Sequence, residues 1–118
     1  MNKDQLFVEE HRGLSAREIN LIQWLLVETN NLEFVEQIKK TNVITKCGCG
    51  CKTIDLQVEG YEPKSGGLTL SAQGFSTESV PVDVILHIRN GLISELEVYA
   101  IDDAKEFSLP ETDSLVIY

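Results

Sequence analysis

The sequence predicts an α+β domain in which two N-terminal helices pack on one face of a four- to five-stranded antiparallel sheet. Three observations carry this. Apolar residues recur at helical spacing over residues 14–28 and 32–40, the period drops to two from Val43 onwards, and the helices precede the strands instead of alternating with them. At 118 residues, with 42% apolar and 25% charged composition, the chain is sized for one core and a single domain spanning residues 1–118.

The first helix has the clearest start. Ser15 is placed to cap it, Glu18 three residues on completes a capping box, and Leu14 can staple against Ile19 across the first turn. Ile19, Ile22, Leu25 and Leu26 form the inward stripe, Trp24 flanks it and is expected to be partly buried, and Arg17, Asn20, Gln23 and Glu28 fall largely outside it. Asn30-Asn31 breaks the run. Leu32–Lys40 then reads as a second, shorter helix, with Phe34, Val35 and Ile38 inward and Lys39 and Lys40 at the end that favours cations.

Ile44, then Ile54, Leu56 and Val58, alternate with Thr53, Asp55, Gln57 and Glu59, which predicts two strands flanking a run of cysteines. A turn at Gly48-Cys49-Gly50 sets Cys47 opposite Cys51 and Ile44 opposite Ile54, at the mild cost of placing Lys46 against Lys52. Gly60 to Gly67 is a turn-rich connection, and Leu68–Phe75 is a weaker alternating segment suited to a sheet edge. Val80, Val82, Val84, Leu86 and Ile88 mark a half-buried strand, with Ile93–Ile101 as its hairpin partner. A two-residue turn at Asn90-Gly91 sets Val84 opposite Glu97 and Leu86 opposite Glu95, with carboxylates on the apolar face. The register therefore favours a three-residue turn that includes Arg89 and pairs Ile88 with Leu92, Val84 with Leu96 and Val82 with Val98. The tail, Phe107–Pro110 and Ser114–Tyr118, is apolar enough to dock and is a candidate for one more strand.

The net charge of −9 is unevenly placed. Residues 1–52 are neutral, whereas residues 53–118 set twelve acids against Lys64, Arg89 and Lys105. Such a field repels phosphate backbones, so direct nucleic-acid binding is not expected, and it steers a basic protein towards this half. Neither an apolar run of signal-peptide length nor one approaching the ~20 residues of a membrane span is present. With only three cysteines, all within Cys47–Cys51, a reducing compartment and a cytoplasmic location are expected, with no membrane partner. The sheet face away from the helices is expected to carry Asp55, Gln57, Asp83, His87, Glu95, Glu97 and Tyr99. Asp55, Asp83, Glu95, Glu97 and Tyr99, with Asp102 and Asp103 beyond the last strand, are the candidate partner-binding residues.

The run Cys47-Gly48-Cys49-Gly50-Cys51 admits three readings. The plain one is a tight glycine turn whose small thiols pack or lie inert. A zinc ion held by Cys47, Cys49 and Cys51 is the second, although thiolates two residues apart converge only if the backbone curls and a fourth ligand has to come from His11 or His87. The third is redox or thiol-reactive chemistry, with Lys46 and Lys52 lowering a thiol pKa. A cysteine nucleophile paired with His87 lacks a third orienting group. Glu95 and Glu97 share a strand face, as paired acid–base carboxylates do, but a solvated face or contact with partner cations is the simpler account. No phosphate-binding glycine loop is present, and with no catalytic residue recognised the chain is not expected to be an enzyme.

Lys46-Cys47-Gly48-Cys49-Gly50-Cys51-Lys52-Thr53-Ile54-Asp55-Leu56, followed by Asn90-Gly91-Leu92-Ile93 and Leu96-Glu97-Val98-Tyr99, resembles the signature of a family of small uncharacterised bacterial proteins, over roughly residues 14–100. The resemblance implies a bacterial cytoplasmic protein and no reaction, cofactor or catalytic residue. The functional expectation is a small acidic protein-interaction module without a cofactor, most concretely a toxin-neutralising immunity protein that binds a basic nuclease-like toxin domain. The alternative is a small zinc-binding or thiol-based protein built on Cys47, Cys49 and Cys51.

Overall fold

The computed structural model describes residues 7–48, 51–102 and 106–117. Helix α1 (Ala16–Glu28) begins where the capping box places it: the Glu18 N–H donates to Ser15 Oγ at 3.2 Å and the Ser15 N–H donates to Glu18 Oε1 at 2.8 Å. Leu21, Ile22, Leu25 and Leu26 are fully buried, while Ile19 and Trp24 are partly so. Leu21 lies outside the predicted stripe and is buried because α1 packs against both the sheet and the following helix, which widens its apolar face. That second helix, Leu32–Lys40, is of the tighter 3-10 type and buries Gln37 and Ile38.

Among the described residues the sheet has seven strands, β1 (Phe7–Gly13), β2 (Thr41–Cys47), β3 (Ile54–Val58), β4 (Gly67–Phe75), β5 (Pro81–Arg89), β6 (Leu92–Ala100) and β7 (Val116–Ile117). They are antiparallel throughout, in the order β1-β2-β3-β6-β5-β4-β7. This corrects the expectation of a four- to five-stranded sheet. Both additional strands are at the edges, where periodicity is weakest. β1 is exposed along nearly its whole length, so Glu9-Glu10-His11-Arg12 shows no alternation to read. β7 is two residues long and is seated by its neighbours: Ser114 Oγ accepts from the Phe75 N–H and donates to the Phe75 carbonyl, and Leu115 is buried. Because β7 pairs with β4 at Ala72 and Gln73, β4 is an edge strand along only part of its length.

Both hairpin registers differ from the sequence expectation. Between β2 and β3, Lys46 pairs with Ile54 and Thr45 with Asp55, and an irregularity then sets Val43, not Ile44, across from Leu56 in the core. The ladder ends at the Cys47 N–H, which donates to the Thr53 carbonyl at 2.9 Å. Lys46 therefore does not oppose Lys52, nor Cys47 Cys51, and the like-charge contact is avoided. Between β5 and β6 the turn has two residues, Asn90 and Gly91, both at positive φ (54° and 74°), and Arg89 pairs with Leu92. The carboxylates stay off the apolar face because Ser94 is an extra residue between Ile93, which pairs with Ile88, and Glu95, which pairs with His87. Past this bulge Leu86 meets Leu96 and Val84 meets Val98, in place of the predicted pairings of Ile88 with Leu92, Val84 with Leu96 and Val82 with Val98.

The core lies between one face of the sheet and the two helices. Val43, Leu56, Val82, Val84, Leu86 and Val98 point into it beneath α1 and the 3-10 helix. No helix among the described residues is long and apolar enough to cross a membrane.

Candidate functional site

On the opposite face, the strand order assembles a polar row that neither hairpin contains by itself. Because β3 lies against β6, Asp55 stands directly across from Glu95, Glu95 across from His87, and His87 across from Thr69. Thr45 extends the row on β2 and donates its hydroxyl to Asp55 Oδ2 at 2.7 Å. Glu97, two residues along from Glu95, projects from the same side. His87 Nε2 and Glu97 Oε1 share a hydrogen bond of 2.9 Å, and Arg89 Nη2 donates to Glu95 Oε1 at 2.8 Å. Further along, Asp83 lies across from Tyr99 on one side and Gln73 on the other.

Of the candidate partner-binding residues, Asp55, Asp83, Glu95, Glu97 and Tyr99 thus gather on one face. They are not equally accessible. Asp83 is only 8% exposed, so it is a buried group of this face instead of the wet one expected from alternation. Asp102 is exposed just past β6, and Asp103 lies outside the described residues. Sequence reasoning missed Thr45 and Arg89 as partners of these acids. Arg89 was placed in the turn, and its position as the last residue of β5 is what lets it reach back to Glu95.

The electrostatics follow from this arrangement. Asp55, Glu95 and Glu97 gather from two adjacent strands, with the Arg89 guanidinium bound at the rim and the His87 imidazole of β5 among them, while Asp83 lies further along β5 across from Tyr99. Opposed carboxylates such as Asp55 and Glu95 repel one another on a sheet, and an arriving cation relieves that repulsion. The strands that present them are paired on both sides, so the side chains stand on a rigid platform.

Two other places carry chemistry-bearing residues. Cys47 is disulfide-bonded, whereas Cys51 carries a thiol, and both line a cleft of about 340 Å³ with Arg12, Lys46 and Lys52. A disulfide sulfur is not a thiolate ligand, so the zinc reading of Cys47, Cys49 and Cys51 applies to a reduced chain; Cys49 lies outside the described residues. Arg12 and Lys46 are engaged by Glu10, and Arg12 also by Glu18, which blunts the positive field expected around the thiol. Arg12 holds the Glu10 carboxyl below its usual pKa. The second place is a cleft of about 390 Å³ lined by Phe34, Tyr61, Leu68 and Ile88 over Gly66 and Gly91. Both glycines have positive φ, and the Gly91 N–H donates to the Gly66 carbonyl.

No family model, curated protein or solved structure matches this chain.

Proposed function

We propose that this chain is a small acidic protein-interaction module, most concretely a toxin-neutralising immunity protein that engages a basic nuclease-like toxin domain with the open face of its sheet. The observation that carries the reading is the gathering of Asp55, Glu95 and Glu97 on rigid strands, with Tyr99 further along β6, in the half of the chain that holds all of the net negative charge. Lysines and arginines of a partner find there carboxylates fixed in position, and charge complementarity of this kind raises association rates and selects partners.

Affinity capture from the native host identifies the partner, and binding to it is expected to slow as salt rises. The double substitution Glu95→Lys and Glu97→Lys is expected to weaken the complex by about 2–5 kcal/mol, since it turns attraction into repulsion at the centre of the face. Melting should fall far less, by about 1 kcal/mol, because the pairs with Arg89 and His87 that it removes are partly solvent-exposed. Unchanged affinity for the captured partner excludes this face as the interface.

The shared cleft of Cys47 and Cys51 supports a second reading, a small thiol-based protein. Thiol counting before and after reduction tests it. A disulfide that forms and breaks with mild oxidants and reductants supports it, and thiols that stay inert to both oppose it.

A further inference from the structure

We propose that His87, Glu95 and Glu97 form a binding site for one divalent transition-metal cation of the zinc type. The inference does not depend on what docks against the sheet. It starts from position: Glu95 and Glu97 are two apart on β6, and His87 is the direct cross-strand neighbour of Glu95, so three potential ligands rise from two central strands within one small area. One ligand atom from each lies within 4.8 Å of the others. Two ligands about 2.1 Å from one tetrahedral ion stand about 3.4 Å apart. The 2.9 Å between His87 Nε2 and Glu97 Oε1 is within about 0.5 Å of that spacing, and Glu95 has no more than about 1.4 Å to travel.

The surroundings favour an ion over three carboxylates left to themselves. Asp55 stands across from Glu95, so three acids share this patch with the Arg89 guanidinium, and a divalent cation offsets the excess. Arg89 donates to Oε1 of Glu95, which is the orienting role that outer hydrogen bonds play around metal ligands. One imidazole and two carboxylates suit zinc or cobalt better than calcium, and water completes the coordination.

The test is a calorimetric titration of chelator-treated full-length protein with Zn²⁺, repeated with Co²⁺ while paramagnetic shifts of the His87 ring are followed by NMR. One equivalent of Zn²⁺ should bind, Co²⁺ should shift the His87 resonances in the unmodified chain, and His87→Ala and Glu97→Gln should each weaken binding about tenfold or more. Cys51→Ser should leave affinity unchanged. The proposal is overturned if Zn²⁺ fails to bind, if His87 resonances are unaffected by Co²⁺, or if His87→Ala binds Zn²⁺ as tightly as the unmodified chain. It is equally overturned if binding disappears in Cys51→Ser, which would assign the metal to the cysteine run.

Discussion

Glu18 illustrates how one side chain can serve several elements at once. Its backbone N–H and carboxylate complete the cap of α1, while both carboxylate oxygens accept 2.8 Å hydrogen bonds from Arg12 of β1. Burial pushes its pKa up, but the Arg12 guanidinium and the Ser15 N–H and hydroxyl outweigh that effect and hold it below the usual carboxylate value. A carboxyl whose folded pKa lies below its unfolded value contributes stability that is present above about pH 4.3 and is lost as pH falls through the folded pKa. Glu18→Gln should therefore cost about 1–3 kcal/mol at neutral pH, with the two proteins converging in acid, as read from urea unfolding at several pH values. A constant difference down to pH 2 would assign the loss to cap shape instead of charge. The cap was legible in the sequence because it is a local pattern three residues wide. The Arg12 contact was not, because it arrives from a strand that leaves no periodic trace.

At the scale of elements, the alternation of Val82, Val84, Leu86 and Ile88 was sufficient to find β5 and its partner, and the requirement that Leu86 not face Glu95 was sound. What escaped was the device that satisfies it. A bulge at Ser94 restores the apolar register just as a longer turn would, and the sequence alone does not distinguish the two, because either adds one residue between the same strands. The deciding partner is distant: Gln37, on the 3-10 helix, accepts from the Ile93 N–H at 3.0 Å and donates to the Gly91 carbonyl at 2.9 Å. Gln37 is 5% exposed, so the backbone groups that it serves have little recourse to water. Gln37→Leu should destabilise the fold by about 2–3 kcal/mol and speed amide exchange at Ile93 more than at Val84, measured by denaturation and hydrogen exchange. Uniform acceleration along β5 and β6 would show that the glutamine does not anchor the bulge. The candidate site was legible in the same partial way. Residue alternation put Asp55, Asp83, Glu95, Glu97 and Tyr99 on one face, but only the pairing of β3 with β6, strands distant in the chain, makes Asp55 and Glu95 neighbours.

Across the whole molecule, that pairing is also a narrow join between the longer strands of the sheet, as short in ladder positions as the pairing of β4 with the two-residue β7. β3 and β6 share two ladder positions, Ile54 with Leu96 and Asp55 with Glu95. Beyond these the join is completed by the Lys52 N–H, which donates to the Val98 carbonyl at 3.0 Å, and by Thr53 Oγ1, which accepts from the Val98 N–H at 3.1 Å. Thr53→Val keeps the volume but leaves the Val98 N–H without its acceptor, and should cost about 1–2 kcal/mol, with faster exchange at Val98 and Ile54. Protection unchanged at both amides would mean that the threonine carries little of the join. β1-β2-β3 lie on one side of this line and β6-β5-β4-β7 on the other, like the two leaves of a book. The spine is where two like charges, Asp55 and Glu95, face each other, so a narrow seam of the sheet coincides with a patch where a cation relieves repulsion. A cation shared by Asp55 and Glu95 would therefore act as a clasp between the two leaves.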